Sequence, residues 1–151
     1  NKNFKCLMIG TNVNKKNKTI KNQIKKNKLG NNIILYGETK FPQKLINAFD
    51  INIISSVSES SSLVLMEAMA SGVPSLATNV GPISKTMGQS GWAVKNKSSK
   101  ELAEKLLFII NNKKILKEKS LLARKRITRN YSQDKMLNKY YLTYKKYLKK
   151  M

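Results

Sequence analysis

Short apolar runs alternate with longer amphipathic ones along this chain. Phe4–Ile9 reads as a strand that stops at Gly10. Residues 17–28 are rich in Lys and Asn, with Ile20 and Ile24 four apart, a weak helical pattern closed by Gly30 and Asn31. Ile33–Tyr36 is a second strand, halted at Gly37. Pro42 stands where the first turn of a helix accepts proline, so 42–49 predicts a short helix. Ile51–Ile54 is a third strand. A helix over 62–71 ends at Gly72, a residue favoured just past a helix C-terminus. Pro74–Thr78 is a fourth strand, Val80-Gly81-Pro82 a turn, and Gly91–Val94 a fifth strand. Three helices follow at about 98–111, 113–129 and 132–149, the first capped by Ser98 or Ser99 with Glu101 in its first turn.

Strands that are short and apolar throughout, joined by helices, imply a parallel sheet covered on both faces. The expected fold is α/β: a doubly wound, Rossmann-like parallel sheet with a helical C-terminal tail. No repeat or low-complexity linker divides residues 1–151, so one domain is expected. Such sheets bind ligands beyond the carboxyl ends of their strands, near the switch point. The loop after Ile51–Ile54, with Ser55, Ser56, Ser58 and Glu59, is such a place.

Composition narrows the chemistry. A chain of 151 residues with 40% apolar content can bury a sizeable core. No apolar run approaches the roughly 20 residues that span a bilayer, and no charged-then-apolar leader opens the sequence. Cys6 is the only cysteine, so no intrachain disulfide can form. It lies in an apolar run and reads as a buried, inert thiol. A reducing, cytoplasmic setting fits, with the inner face of a membrane as a more specific expectation. The chain has no histidine, which removes the commonest general base and metal ligand, and no metal site is expected. The net charge of +22 invites a nucleic-acid reading. Lys and Asn recur along the whole chain, however, and Arg124, Arg126 and Arg129 are its only arginines. Specific readers of bases or phosphates favour arginine forks. Loose attraction to anionic surfaces, including lipid headgroups, is the better expectation.

The chemistry concentrates in ESSSLVLMEAMASG, residues 59–72, where Glu59 and Glu67 stand eight residues apart. Glu67 is the one charge in LVLMEAMA, and an ionised carboxylate among apolar groups needs partners. Ser60, Ser61 and Ser62 stand at the helix start, where amide N–H groups lack intrahelical acceptors and the helix dipole favours anions, which suits a diphosphate. Glu59, just outside, suits sugar hydroxyls. Glu67, about two turns on, suits the two adjacent hydroxyls of a ribose. Plainer readings stand beside these. Ser56 and Glu59 fit a capping box, the serines fit simple N-caps, and Glu67 could pair with a lysine across the fold.

The run SSVSESSSLVLMEAMASGVPSLATNVGP resembles the donor-binding signature of retaining family 4 glycosyltransferases with the GT-B fold, which reads roughly PS-x-x-E-G-F-x-x-x-x-x-E-A-M-A-x-G-x-P-V-V-A-T-x-x-G-G. LMIG at 7–10, NIILYG at 32–37, FPQKLINAFDINIISS at 41–56, GWAV at 91–94 and the YS-x-D-K start of the last helix also resemble family segments. The resemblance implies that Glu59 contacts the transferred sugar and that Glu67 holds the ribose hydroxyls. It implies that backbone amides of Ser61, Ser62, Leu63 and Val64 cradle the diphosphate or touch the ribose. Gly37 and Glu38 would fall at the base-binding loop, and Gly10 at the loop that lets the donor approach the sheet. The donor would be a UDP- or GDP-sugar, with no metal and no covalent cofactor. The acceptor would be a glycan or lipid-linked glycan, in bacterial surface-glycan or glycolipid synthesis. Ser60-Ser61 replaces the family's Gly-Phe and Lys85 replaces an acid, so the sugar is not assigned. In that family a strand and loop bearing Arg and Lys, and an acceptor domain, come earlier than the segments matched here. The chain is therefore expected to be an incomplete donor domain, broken in mid-sheet and inactive alone. An epimerase or phosphorylase of the same architecture, or a basic anion-binding module, is the alternative.

The last helix places Met136, Tyr140, Tyr144 and Leu148 at four-residue spacing, beside Leu137 and Tyr141, with Lys135, Lys139, Lys145, Lys146, Lys149 and Lys150 supplying charge. It reads as an amphipathic packing helix or, more sharply, as a peripheral membrane contact.

Overall fold

The structure, a computed structural model, describes residues 4–148. The chain divides into two compact units, Asn1–Pro42 and Gln43–Met151. Its five strands are all parallel and form two hydrogen-bonded sheets, one of two strands and one of three, a division of the kind expected for a sheet broken in the middle.

The first unit is a β–α–β arrangement: β1 (Cys6–Ile9), α1 (Lys18–Lys26) and β2 (Ile33–Gly37). Cys6 pairs with Ile33, and a register shift between Met8 and Ile9 brings Ile9 opposite Gly37. Asn17 caps α1 by accepting from the Ile20 amide at 3.1 Å, and Lys25 and Lys26 in the last turn complement the helix dipole. The helix stops because Lys28 takes a left-handed conformation (φ 54°), two residues before the glycine expected to close it. Buried Asn32 ties the unit together. Its side-chain amide donates to the Phe4 carbonyl at 2.9 Å, and its own carbonyl accepts from the Cys6 amide. No hydrophobic side chain of this unit is fully buried among the described residues.

The second unit opens with α2 (Pro42–Ile46), shorter than the helix predicted over 42–49. Next come β3 (Asn52–Ile54), α3 (Leu63–Ala70) and β4 (Ser75–Thr78). A short helix α4 (Ile83–Met87) and a 3-10 turn at Gly88–Ser90 lead to β5 (Trp92–Val94). The chain ends in α5 (Ser99–Ile110), α6 (Lys113–Tyr131) and α7 (Gln133–Leu148). The sheet order is β3-β4-β5, so β4 is central and all four of its residues are buried. Successive β4 side chains point to opposite faces. Ala77 joins the larger core cluster with Ile54, Leu65, Met69, Ile83, Met87, Ala123 and Ile127, which binds α3, α4 and α6 together. Leu76 joins Val94 and Ile109 on the α5 side, backed by Trp92, Leu102 and Leu106. Helices thus cover both faces of this sheet, as the continuous apolar strand sequence requires. Ser98 is the cap of α5, accepting from the Glu101 amide at 3.3 Å. Every described residue of α7 is exposed. The tail's Lys149 and Lys150 lie outside the described residues.

Candidate functional site

The loop between β3 and α3, residues 55–62, leaves the carboxyl end of the sheet and carries the chemistry-bearing residues. Three neighbours at the same end hold it. Thr78, the last residue of β4, donates its hydroxyl to the Ser56 carbonyl at 2.5 Å and lies 3.4 Å from the Ile54 carbonyl. Asn96, two residues past β5, donates from its side-chain amide to the Val57 carbonyl at 3.0 Å. Gly81, three residues past β4, has φ 51°, and a Cβ built on it would meet the Glu59 carbonyl oxygen at 1.9 Å. Only glycine permits that approach.

Within the loop, the Ser56 hydroxyl donates to Glu59 Oε1 at 2.7 Å. A hydrogen bond to an ionised acceptor is among the stronger kinds. It fixes one carboxylate oxygen and leaves the half-buried group with capacity to accept more. The capping-box reading of Ser56 and Glu59 is corrected here. The helix begins four residues beyond Glu59, and its N-cap is Ser62, whose side chain accepts from the Leu65 amide at 3.3 Å. Ser56 and Glu59 bond side chain to side chain, not side chain to backbone.

Ser62 satisfies the third amide of α3, while the Met66 amide reaches the Ser62 carbonyl at 3.3 Å. The amides of Ser61, Leu63 and Val64 find no acceptor among the described residues. Ser60, Ser61, Leu63 and Val64 are exposed, so side chains do not plug the helix mouth. Leu63, Val64 and Glu67 lie at i, i+1 and i+4, on one face of α3, opposite the buried Leu65, Ala68 and Met69. The alternative pairing of Glu67 with a lysine is absent among the described residues. Its half-buried carboxylate takes no hydrogen bond or ion pair there, and water reaches it. Glu59, the three serines, Leu63, Val64 and Glu67 are therefore consecutive features of one loop–helix element.

Gly10, Gly37 and Glu38 belong to the first unit. The Gly10 amide donates to the Gly37 carbonyl at 3.0 Å, which brings the two glycines together at the ends of β1 and β2. Their φ values, 145° and 91°, lie where side-chain-bearing residues are strained. A Cβ at either would meet Val13 atoms only at 3.7 Å, so conformation and not space demands glycine. Glu38 follows β2 and is exposed.

Sequence reasoning missed Thr78 and Asn96, since a strand-end threonine and a loop asparagine carry no local signal of a contact 22 or 39 residues away. Gly81 was legible only as a turn. Shallow hollows lie elsewhere, beside Ile24 and Gly30, and along α7 at Tyr141, Tyr144 and Leu148, and neither touches the α3 mouth. No group of three or more acidic or cysteine side chains suited to a metal occurs among the described residues.

The family described as glycosyl transferases group 1 matches residues 1–130. The poly(ribitol-phosphate) alpha-N-acetylglucosaminyltransferase of Staphylococcus aureus (strain COL) is 30% identical over 124 residues, covering 80% of this chain and 25% of that protein. A glycosyltransferase structure from Rickettsia africae superposes with a TM-score of 0.89 at 28% identity, covering 99% of this chain and 41% of its own. An S. aureus TarM variant, solved with Fondaparinux, alpha-GlcNAc-glycerol and UDP, superposes with a TM-score of 0.78 at 30% identity, covering 90% of this chain and 28% of its own. The chain thus spans about a quarter to two fifths of the length of these relatives. A match over most of the sequence, joined to parallel sheets clothed in helices, establishes that the chain belongs to the glycosyl transferases group 1 family.

Proposed function

We propose that this chain supplies the donor site of a glycosyltransferase that moves a sugar, with retention, from a UDP-sugar to a glycan or lipid-linked glycan. One observation carries the reading. Open amides at the mouth of α3 stand beside an acid one turn further along the same helix face, and that acid has no partner among the described residues. Amides with unused hydrogen-bonding capacity, at the positive end of a helix dipole, suit a diphosphate. Glu67 suits the paired ribose hydroxyls, because a carboxylate accepts through two oxygens. Glu59, held by Ser56, suits hydroxyls of the transferred sugar. In the first unit, Gly10, Gly37 and Glu38 are the proposed contribution to donor approach and base binding. UDP is preferred over GDP because the TarM structure, at 30% identity, contains UDP. UDP-N-acetylglucosamine is the first donor to test, since the S. aureus relative's name carries that sugar.

The test is protection against unfolding. UDP should raise the melting temperature of the protein. Glu67→Ala should abolish that rise, while Glu59→Ala should keep it and lose sugar transfer. Equal protection in both variants counts against these roles. Tight, salt-sensitive binding of DNA or RNA that survives Glu67→Ala would favour the basic anion-binding alternative. Product analysis separates transfer from epimerisation or phosphorolysis.

A cytoplasmic setting with peripheral membrane contact belongs to the same proposal. No helix among the described residues is long and apolar enough to cross a membrane. What supports surface contact is α7, where Met136, Tyr140, Tyr141, Tyr144, Tyr147 and Leu148 line one exposed face and Lys135, Lys139, Lys145 and Lys146 the other. Sedimentation with anionic vesicles at low salt, lost at high salt, is the expected result. Failure to sediment would assign that face to packing against protein.

A further inference from the structure

We infer that Thr78, Gly81 and Asn96 are positioning residues, which set the place of Glu59 by gripping the backbone of its loop from three directions. The inference rests on the proposed role of Glu59 at the sugar. The loop at 55–62 contains no regular secondary structure, and Val57, Ser58, Ser60 and Ser61 are exposed, so local structure alone does not fix it. Thr78 holds the Ser56 carbonyl, Asn96 holds the Val57 carbonyl, and the Glu59 carbonyl rests against the bare α-carbon of Gly81. These contacts fall on three of four successive loop residues. Each comes from a separate point on the carboxyl edge of the β3-β4-β5 sheet: the end of β4, the turn after β4, and the loop after β5. Ser56 is the residue whose hydroxyl holds the Glu59 carboxylate, so Thr78 acts on that carboxylate through one intermediate residue.

Two features single these residues out from ordinary loop packing. Asn96 donates to the loop while its own Oδ1 is buried without a hydrogen-bond partner, the one such side-chain atom among the described residues. Gly81 tolerates no side chain, because Cβ atoms do not approach within 3.0 Å of other atoms and the loop would have to retreat by about 1 Å. Such a displacement at a reacting centre costs about 100-fold in rate. The nucleotide end of the site is built differently. Glu67 and the Leu63 and Val64 amides are held by the helix and its packing on α6, so they do not depend on the three grips.

The experiment uses the full-length protein, with UDP as the binding probe and UDP release from UDP-N-acetylglucosamine as the rate. Thr78→Val keeps the shape and removes the hydroxyl, Thr78→Ser restores it, and Gly81→Ala pushes on Glu59. Thr78→Val and Gly81→Ala should lower kcat about 10- to 100-fold, leave KM within about threefold, and preserve UDP protection. Thr78→Ser should return kcat to within about threefold of the parent. Unchanged kcat in Thr78→Val and Gly81→Ala overturns the inference. So does a loss of kcat that tracks loss of UDP protection, which would report general damage. A parent protein that UDP does not protect would instead overturn the donor-site reading, and that control is measured first.

Discussion

Cys6 shows how burial alters one group. It sits half-buried in β1, and loss of hydration pushes its thiol above the ordinary range, since the charged thiolate is the form that needs water. The folded chain therefore binds this proton more tightly than the unfolded chain. The stability it lends is complete below the ordinary thiol range and is lost as pH rises toward the raised value. Iodoacetamide should label native Cys6 more slowly than the denatured chain near neutral pH, and the urea midpoint should fall as alkali is added. A native thiol that labels as fast as the denatured one would contradict this. The neighbouring positions differ in how much the sequence discloses. Glu67 stood out because it is a lone charge in an apolar helix. That it has no partner among the described residues did not, because pairing is settled by residues distant in the chain. Ser56 and Glu59 matched a local capping pattern, but the helix starts elsewhere, and spacing alone could not distinguish a cap from a bond between two side chains.

At the scale of elements, α3 is apolar on nearly every side, and this is why it is seated between the sheet and α6. Leu65 is 1% exposed and Met69 fully buried, and both share a core cluster with Ala123 and Ile127 of α6. Leu65→Ala should cost about 2–5 kcal/mol, read as a lowered denaturant midpoint at unchanged slope. A loss below about 1 kcal/mol would mean that the site collapses around the truncation. Most elements were legible because apolar runs, the serines before α3, the Ser98 cap and Gly72 mark their limits. The α4 helix was not. Gly81-Pro82 reads as punctuation, and five residues are too few for a helical period to register. Arg126 secures this helix by donating to the Thr86 and Lys85 carbonyls at 2.7 and 2.6 Å, a contact 40 residues away and invisible to local patterning. The partition into two sheets was legible only through the family resemblance, because ladders join residues whose pairing no local composition specifies.

For the whole molecule, the two units differ in how much apolar surface they hide. The second contains all the fully buried hydrophobic side chains among the described residues, and the first has none. Since apolar burial supplies most folding free energy, local opening should be easier in the first. Hydrogen exchange should run faster in α1 and in the β1–β2 ladder than in β4. Equal protection would show that stability is shared across the chain.

Because α7 buries no residue of its own and its main contact in the second unit is with α6, its peptide bonds are open to attack. Its lysines at 135, 139, 145 and 146 offer cleavage points for trypsin. A brief digest should nibble inward from that end and pause near Arg129, where Ile127 is locked into the core. The resistant piece would be a practical starting material for crystals.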